Sequence, residues 1–228
     1  MGLYAIGDLH LSLGGDKTME VFGGAWINYV EKIADGFSAL SDDDVTVLCG
    51  DITWGMTIEE ALPDFEFIDS LPGKKIIIKG NHDYWWTTAN KARTFFAEHD
   101  IKSIDVMHNT SFEYEGVSLC GTRGWFYEEC RGDAHDKKIM TREVGRLETS
   151  LKCAKSDKIF AFLHYPPKFQ SYECPEILEL LLKYNVARCC YGHLHGDSCR
   201  GAFSGVLGGT KFDIVSADHL NFKPMRLI

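Results

Sequence analysis

The sequence has no long apolar run. Its longest apolar stretches, such as Ile159–Leu163, fall far short of the roughly 20 residues that span a bilayer. It is also poor in positive charge. Across 228 residues, 24 Lys and Arg face 33 Asp and Glu, a formal net charge of −9. A general nucleic-acid binder needs basic surface to displace counterions, so the balance argues against that class. None of the eight cysteines (49, 120, 130, 153, 174, 189, 190 and 199) pairs with another at C-x-x-C spacing, so nothing points to a zinc ribbon or a thioredoxin motif. Met1–His10 has neither a basic n-region nor a long apolar h-region. The expectation is therefore a cytoplasmic protein with free thiols. Internal repeats, low-complexity tracts and Pro/Ser-rich linkers are missing too, so residues 1–228 read as a single domain. Aromatic side chains are plentiful: 14 Phe, 9 Tyr and 5 Trp supply a large core and exclude a disordered chain.

Short apolar runs alternate with amphipathic segments. Leu3–Ile6, Val45–Leu48 and Lys75–Ile78 read as strands. Helices are expected from about Ala25 to Ala39, over Ile58–Ile68 and from about Thr87 to His99, with Pro63 either starting or kinking the second. This βαβαβα opening implies parallel strands and right-handed crossovers. In the middle, Ser103–Met107, Ser111–Tyr114 and Val117–Cys120 stand at hairpin spacing, with Asn109 and Glu115-Gly116 at turns. A helix is expected over Asp133–Lys155, then strand Ile159–Leu163, helix Pro175–Tyr184 and strand Ala187–Tyr191. Cys199–Ile228 reads as meandering β structure with turns at Gly205 and Gly208-Gly209. Two mixed sheets within one α/β domain fit this order.

Five motifs sit where apolar strands end: Gly7-Asp8-Leu9-His10, Gly50-Asp51, Gly80-Asn81-His82-Asp83, His164, and Gly192-His193-Leu194-His195. Ligand sites of α/β sheets gather at the carboxyl ends of strands. Singly, each motif is more often a turn or a satisfied core residue. Together they converge Asp8, His10, Asp51, Asn81, His164, His193 and His195, a mixed nitrogen and oxygen donor set without thiolate. Such a set suits Mn²⁺, Fe or Zn²⁺.

The five motifs, in this order, resemble the signature of the calcineurin-like metallophosphoesterases: D-x-H, G-D, G-N-H-[DE], a His, and G-H-x-H. The resemblance runs from residue 7 to residue 195. Gly50–Trp54, Asn81–Trp86 and Gly121–Trp125 look like a bacterial branch of predicted phosphohydrolases with no settled substrate. The resemblance implies a four-layer α/β/β/α sandwich and two divalent metal ions per chain, Mn²⁺ foremost. One metal would take Asp8, His10, Asp51 and His195, and the other Asp51, Asn81, His164 and His193. Asp51 matches the bridging carboxylate, one anion set against two cations. The implied reaction is hydrolysis of a small-molecule phosphate mono- or diester by a metal-bridging hydroxide. His82 would contact the substrate and protonate the leaving oxygen, an acid–base role that suits imidazole, and Asp83 would orient its ring or cap the helix that follows.

Arg123, between Gly121-Thr122 and Gly124, could hold a substrate phosphate with its planar fork or form a salt bridge. Trp54, Tyr84, Trp85, Trp86 and Trp125 follow the motifs closely and could form an aromatic rim or simply pack. His99, His108, His135 and His219 match no motif. Two rival readings share the fold: a metal-binding scaffold without catalysis, and a nuclease, which the acidic balance disfavours. Substrate, metal identity and oligomeric state are open at this level.

Overall fold

A computed structural model describes residues 1–126 and 132–228. Cys130 lies outside the described residues, and the other seven cysteines are free thiols. In chain order the elements are β1 (Leu3–Ile6), α1 (Tyr29–Phe37), β2 (Val45–Leu48), α2 (Leu62–Ser70), β3 (Lys74–Ile77), α3 (Ala89–Glu98), β4 (Ile104–Val106), β5 (Ser111–Tyr114) and β6 (Val117–Thr122). There follow α4 (Ala134–Lys152), β7 (Lys158–Leu163), β8 (Lys168–Phe169), β9 (Tyr172–Glu173), α5 (Pro175–Lys183), β10 (Arg188–Tyr191), β11 (Gly205–Leu207), β12 (Thr210–Ile214) and β13 (Met225–Arg226).

Two sheets result. The first has the order β13-β1-β2-β3-β4, parallel except for β13. The second has the order β11-β12-β10-β7-β6-β5, with antiparallel strands at both edges. Successive side chains on a strand point to opposite faces, and the burial follows that alternation. Leu3, Ala5, Val47, Ile76, Leu119, Phe160, Phe162 and Cys190 form one core between the sheets. Their neighbours Ile6, Leu48 and Ile77 pack instead with Ile33 of α1, Phe65 of α2 and Phe96 of α3. On the far side, Cys120, Ala161, Leu163 and Tyr191 pack with Leu147 of α4 and Leu181 of α5. The layers are therefore helices, sheet, sheet, helices.

Several boundaries and pairings differ from the sequence reading. The first helix begins at Tyr29, not Ala25, because Gly23, Gly24 and Asn28 hold positive φ, and Met19–Phe22 and Gly24–Trp26 form short 3₁₀ turns. Pro63 stands in the first turn of α2, where its missing N–H costs nothing, so the helix starts there. Thr88, not Asp83, caps α3 through the Lys91 amide. β4 does not join the following hairpin. It runs parallel to β3 in the first sheet, while β5 and β6 pair across Glu115-Gly116, both at positive φ. The tail is no simple meander: β11 and β12 form a hairpin, but β13 crosses to the first sheet and pairs with β1.

Candidate metal centre

The loops after β1, β2, β3, β7 and β10 meet at the carboxyl ends of the two sheets. Asp8, His10, Asp51 and His193 all adopt the left-handed backbone region, with φ of 59, 47, 51 and 73°. That conformation is unfavourable for residues with a Cβ and clusters at functional sites. Here it is held by a lattice of main-chain bonds, Asp8 N to Gly50 O at 2.9 Å and His10 N to Asp51 O at 3.0 Å among them. Glycines let these loops touch. A Cβ on Gly192 would stand 2.3 Å from Asp8 Oδ2, and one on Gly80 would stand 2.0 Å from Asp51 Oδ1.

All seven predicted ligands are brought together. Asp8, His10 and His195 can point one atom each into a common space, and so can Asp8, Asp51 and His164. His10 Nε2 lies 3.2 Å from His195 Nε2. Asn81 Oδ1 lies 2.6 Å from His164 Nε2 and 3.0 Å from His193 Nδ1. Asp51 Oδ2 lies between the two groups, 3.7 Å from His10 Nε2 and 3.5 Å from His164 Nε2. Outer hydrogen bonds set the tautomers. His164 Nδ1 bonds the Cys49 carbonyl at 3.0 Å, and His195 Nδ1 bonds Asp218 Oδ1 at 3.0 Å, so each turns Nε2 inward. Asp218 lies 23 residues beyond His195 and matches no motif, so the sequence offered no signal for it.

The electrostatics fit cations. Asp8 and Asp51 are fully buried. Burial, partly opposed by the His195 charge, pushes Asp8 up to about 8. Burial likewise raises Asp51 to about 6. Burial also drives His164 down to about 3 and His193 to about 2, and holds His10 well below its ordinary value. For His195, burial opposes the charge, but Asp218 and the neighbouring carboxylates outweigh it and raise the pKa. Two buried carboxylates, ringed by imidazoles that mostly resist protonation, form a site that divalent cations would neutralise.

His82 and Asp83 divide differently from expectation. Asp83 is buried and does not orient His82. Its carboxylate accepts from the amides of Gly80, Asp51 and Ile52 and from the Trp85 indole, at 2.6–3.0 Å, and so ties the Asp51 and Asn81 loops to each other. The nearest partner of the His82 ring is Tyr84, with Nδ1 3.2 Å from its hydroxyl, while the His82 amide donates to Asp51 Oδ1 at 2.7 Å. Burial lowers the His82 pKa.

The aromatic residues separate as well. Trp85 and Trp86 are buried core. Trp54 stacks on His10 at 4.9 Å and lies 4.4 Å from the His82 ring. Trp26, which no motif marks, packs 5.5 Å from His195. With Met19 and Phe22 these two tryptophans line the apolar side of a cavity of about 480 Å³ that opens over His10, Asp51, His82 and His195. Trp125 instead donates to Asp136 at 3.3 Å. Arg123 does not line this mouth. Its Nη2 lies 3.3 Å from Glu143 Oε1 and its guanidinium sits over Trp125, so a salt bridge is formed.

A sequence model of the calcineurin-like phosphoesterases matches residues 1–197. The chain belongs to that family. No curated protein matches this family member in sequence. Three solved structures resemble it in fold. A phosphopantetheinyl hydrolase from Mycobacterium tuberculosis is 13% identical with a TM-score of 0.61, over 100% of this chain and 95% of that one. A protein of unknown function, AQ665 from Aquifex aeolicus, is 17% identical with a TM-score of 0.50, over 99% and 95%. TT1561 of Thermus thermophilus is 12% identical with a TM-score of 0.51, over 98% and 96%. At these identities the likeness is one of fold. Family and donor set together make the chain a metal-binding hydrolase of the phosphoesterase type. No helix among the described residues is long and apolar enough to cross a membrane.

Proposed function

We propose that this calcineurin-like phosphoesterase hydrolyses a small-molecule phosphate mono- or diester at a centre of two divalent cations. The observation that carries the reading is Asp51 Oδ2, held between His10 of one donor group and His164 of the other. Asp8, His10 and His195 would hold one cation, and Asn81, His164 and His193 the other, with Asp51 shared. Bound there, the cations would supply an acidified water and a positive clamp for the phosphoryl oxygens. The chain's own residues do the rest. The Asp51 carboxylate is fixed by the His82 amide, so it cannot swing away from the shared position. Trp26, Trp54 and Met19 exclude water from one side of the mouth and suit a substrate whose leaving group has apolar surface. His82, at the rim beside Trp54, donates a proton to the departing oxygen, and Tyr84 steadies its ring.

The test reloads chelator-treated protein with Mn²⁺, Fe²⁺ or Zn²⁺, counts metal, and assays a panel. The panel is p-nitrophenyl phosphate, bis-p-nitrophenyl phosphate, cyclic nucleotides, nucleoside diphosphate derivatives, a phosphopantetheinyl ester and a DNA or RNA oligonucleotide. Two equivalents per chain are expected, with Asp51→Asn weakening both and abolishing turnover. Saturation at one equivalent would remove the two-cation reading. Two equivalents without turnover of any panel member would make the chain a metal-binding scaffold. Preference for the oligonucleotide would make it a nuclease.

A further inference from the structure

Beside the metal centre, at the carboxyl ends of β3, β4 and β6, lies a second cavity of about 480 Å³. None of the seven metal-site residues lines it. It collects positive charge in a chain whose net charge is −9. Lys79, Arg123, Arg142 and Arg146 line it, and among the described residues the one carboxylate on its wall is Glu143. Arg93 also lines it but is paired with Asp105 at 2.9 Å. Glu143 is fully buried and already accepts from the Thr122 hydroxyl at 2.7 Å. Three guanidiniums crowd it: Arg146 Nη1 at 2.7 Å, Arg123 Nη2 at 3.3 Å and Arg142 Nε at 3.9 Å. Among the described residues, one buried carboxylate faces three guanidiniums and a lysine, which it cannot balance. The Arg123 Nε is buried and has no hydrogen-bond partner among the described residues. His108, which also lines the cavity, is held below its ordinary pKa by burial and then by the Arg146 charge.

Like charges are brought this close where a missing anion completes them. We propose that the cavity is a binding site for a phosphoryl group, separate from the one the metal centre would hold. A tetrahedral dianion matches the surplus charge and can accept from several directions at once, and guanidinium forks favour it. The wall is continuous with the metal centre. Lys79 stands two residues before Asn81, and the Arg123 carbonyl accepts from the amides of His164 and Tyr165 at 3.1 and 2.9 Å. A ligand with two phosphoryl groups is the kind that would use both sites. The site rests on its own cations and not on the reading of the metal centre as catalytic.

Calorimetry of the Mn²⁺-loaded protein with inorganic phosphate tests it. Two binding events are expected, one lost when the metal is chelated and the other when the cavity is altered. Arg142 is half-exposed on α4, so Arg142→Gln will fold, and the double variant with Arg146→Gln removes two of the surplus cations. The double variant removes charge-assisted hydrogen bonds to the anion, so it should weaken the metal-independent event by about tenfold or more. A metal-independent event unchanged in the double variant, or no such event in wild type, overturns the site.

A kinetic arm separates the two sources of the anion. If the phosphoryl group belongs to the substrate, the double variant raises KM for a sugar bisphosphate but not for p-nitrophenyl phosphate. If it arrives as a free ion, both KM values stay the same while the calorimetric event is still lost. Failure to hydrolyse any ester would overturn the proposed reaction and leave the calorimetry standing.

Discussion

His82 and Asp83 are adjacent, yet they serve the centre in unrelated ways. Asp83 is taken up by loop amides, so its carboxylate acts on the shape of the site and not on a proton. His82 offers an imidazole at the mouth, fixed by the Tyr84 hydroxyl at 3.2 Å. His82→Ala is expected to keep both metal equivalents while kcat falls by roughly 10²–10⁴-fold, the scale of general acid–base assistance. The loss should shrink for p-nitrophenyl esters, whose leaving group needs little protonation. Metal counting beside kcat on a good and a poor leaving group checks this, and loss of metal would make His82 part of the binding set instead.

At the scale of elements, two glycines make opposite forecasts. Gly192 ends β10 against the Asp8 carboxylate, and a Cβ there would meet Oδ2 at 2.3 Å. Asp8 cannot retreat, because the His193 amide holds both its oxygens at 3.0 and 2.9 Å. Gly145 lies inside α4, and a Cβ there meets nothing within 4 Å. Gly145→Ala should therefore stabilise the chain by roughly 0.5–1 kcal/mol through helix propensity, with metal content unchanged. Gly192→Ala should lose metal affinity first. Urea midpoints and metal titrations of the two variants, read side by side, test the pair. Equal metal affinity in both would mean that the Gly192 loop relaxes without moving Asp8.

At the scale of the molecule, the centre ties the two sheets to each other. Asp8, His10, Asp51 and Asn81 follow strands of the first sheet, and His164, His193 and His195 follow strands of the second. Binding to the native state alone stabilises it by about 2.7 kcal/mol at a hundredfold excess over Kd. For a chain of this size that is a melting shift of roughly 5–10 °C. Stripping metal with a chelator should lower Tm by that order, and Asp51→Asn should abolish most of the difference. An identical Tm with and without metal would mean that the ligands do not brace the sheets.

Local sequence determined most of the strands and the candidate donor set, because both rest on short-range rules. Period-two apolar runs announce strands such as Ile159–Leu163 wherever they pair. A glycine followed by Asp, Asn or His at a strand end announces a loop built to present that side chain. Pairing partners were decided elsewhere. β4 has the length and spacing of a hairpin arm, but its apolar face finds a better partner in β3. β13 has only two residues, and its place beside β1 depends on a chain already folded around it. The same holds for the outer ring of the centre. Asp218, Trp26 and the cations around Glu143 lie far from the motifs in sequence and meet them only because the crossovers return the strands to one edge. Electrostatic balance belongs to that edge as a whole: the raised pKa of Asp8 and the cations crowded on Glu143 follow from which groups the fold places beside them, and no local pattern records that.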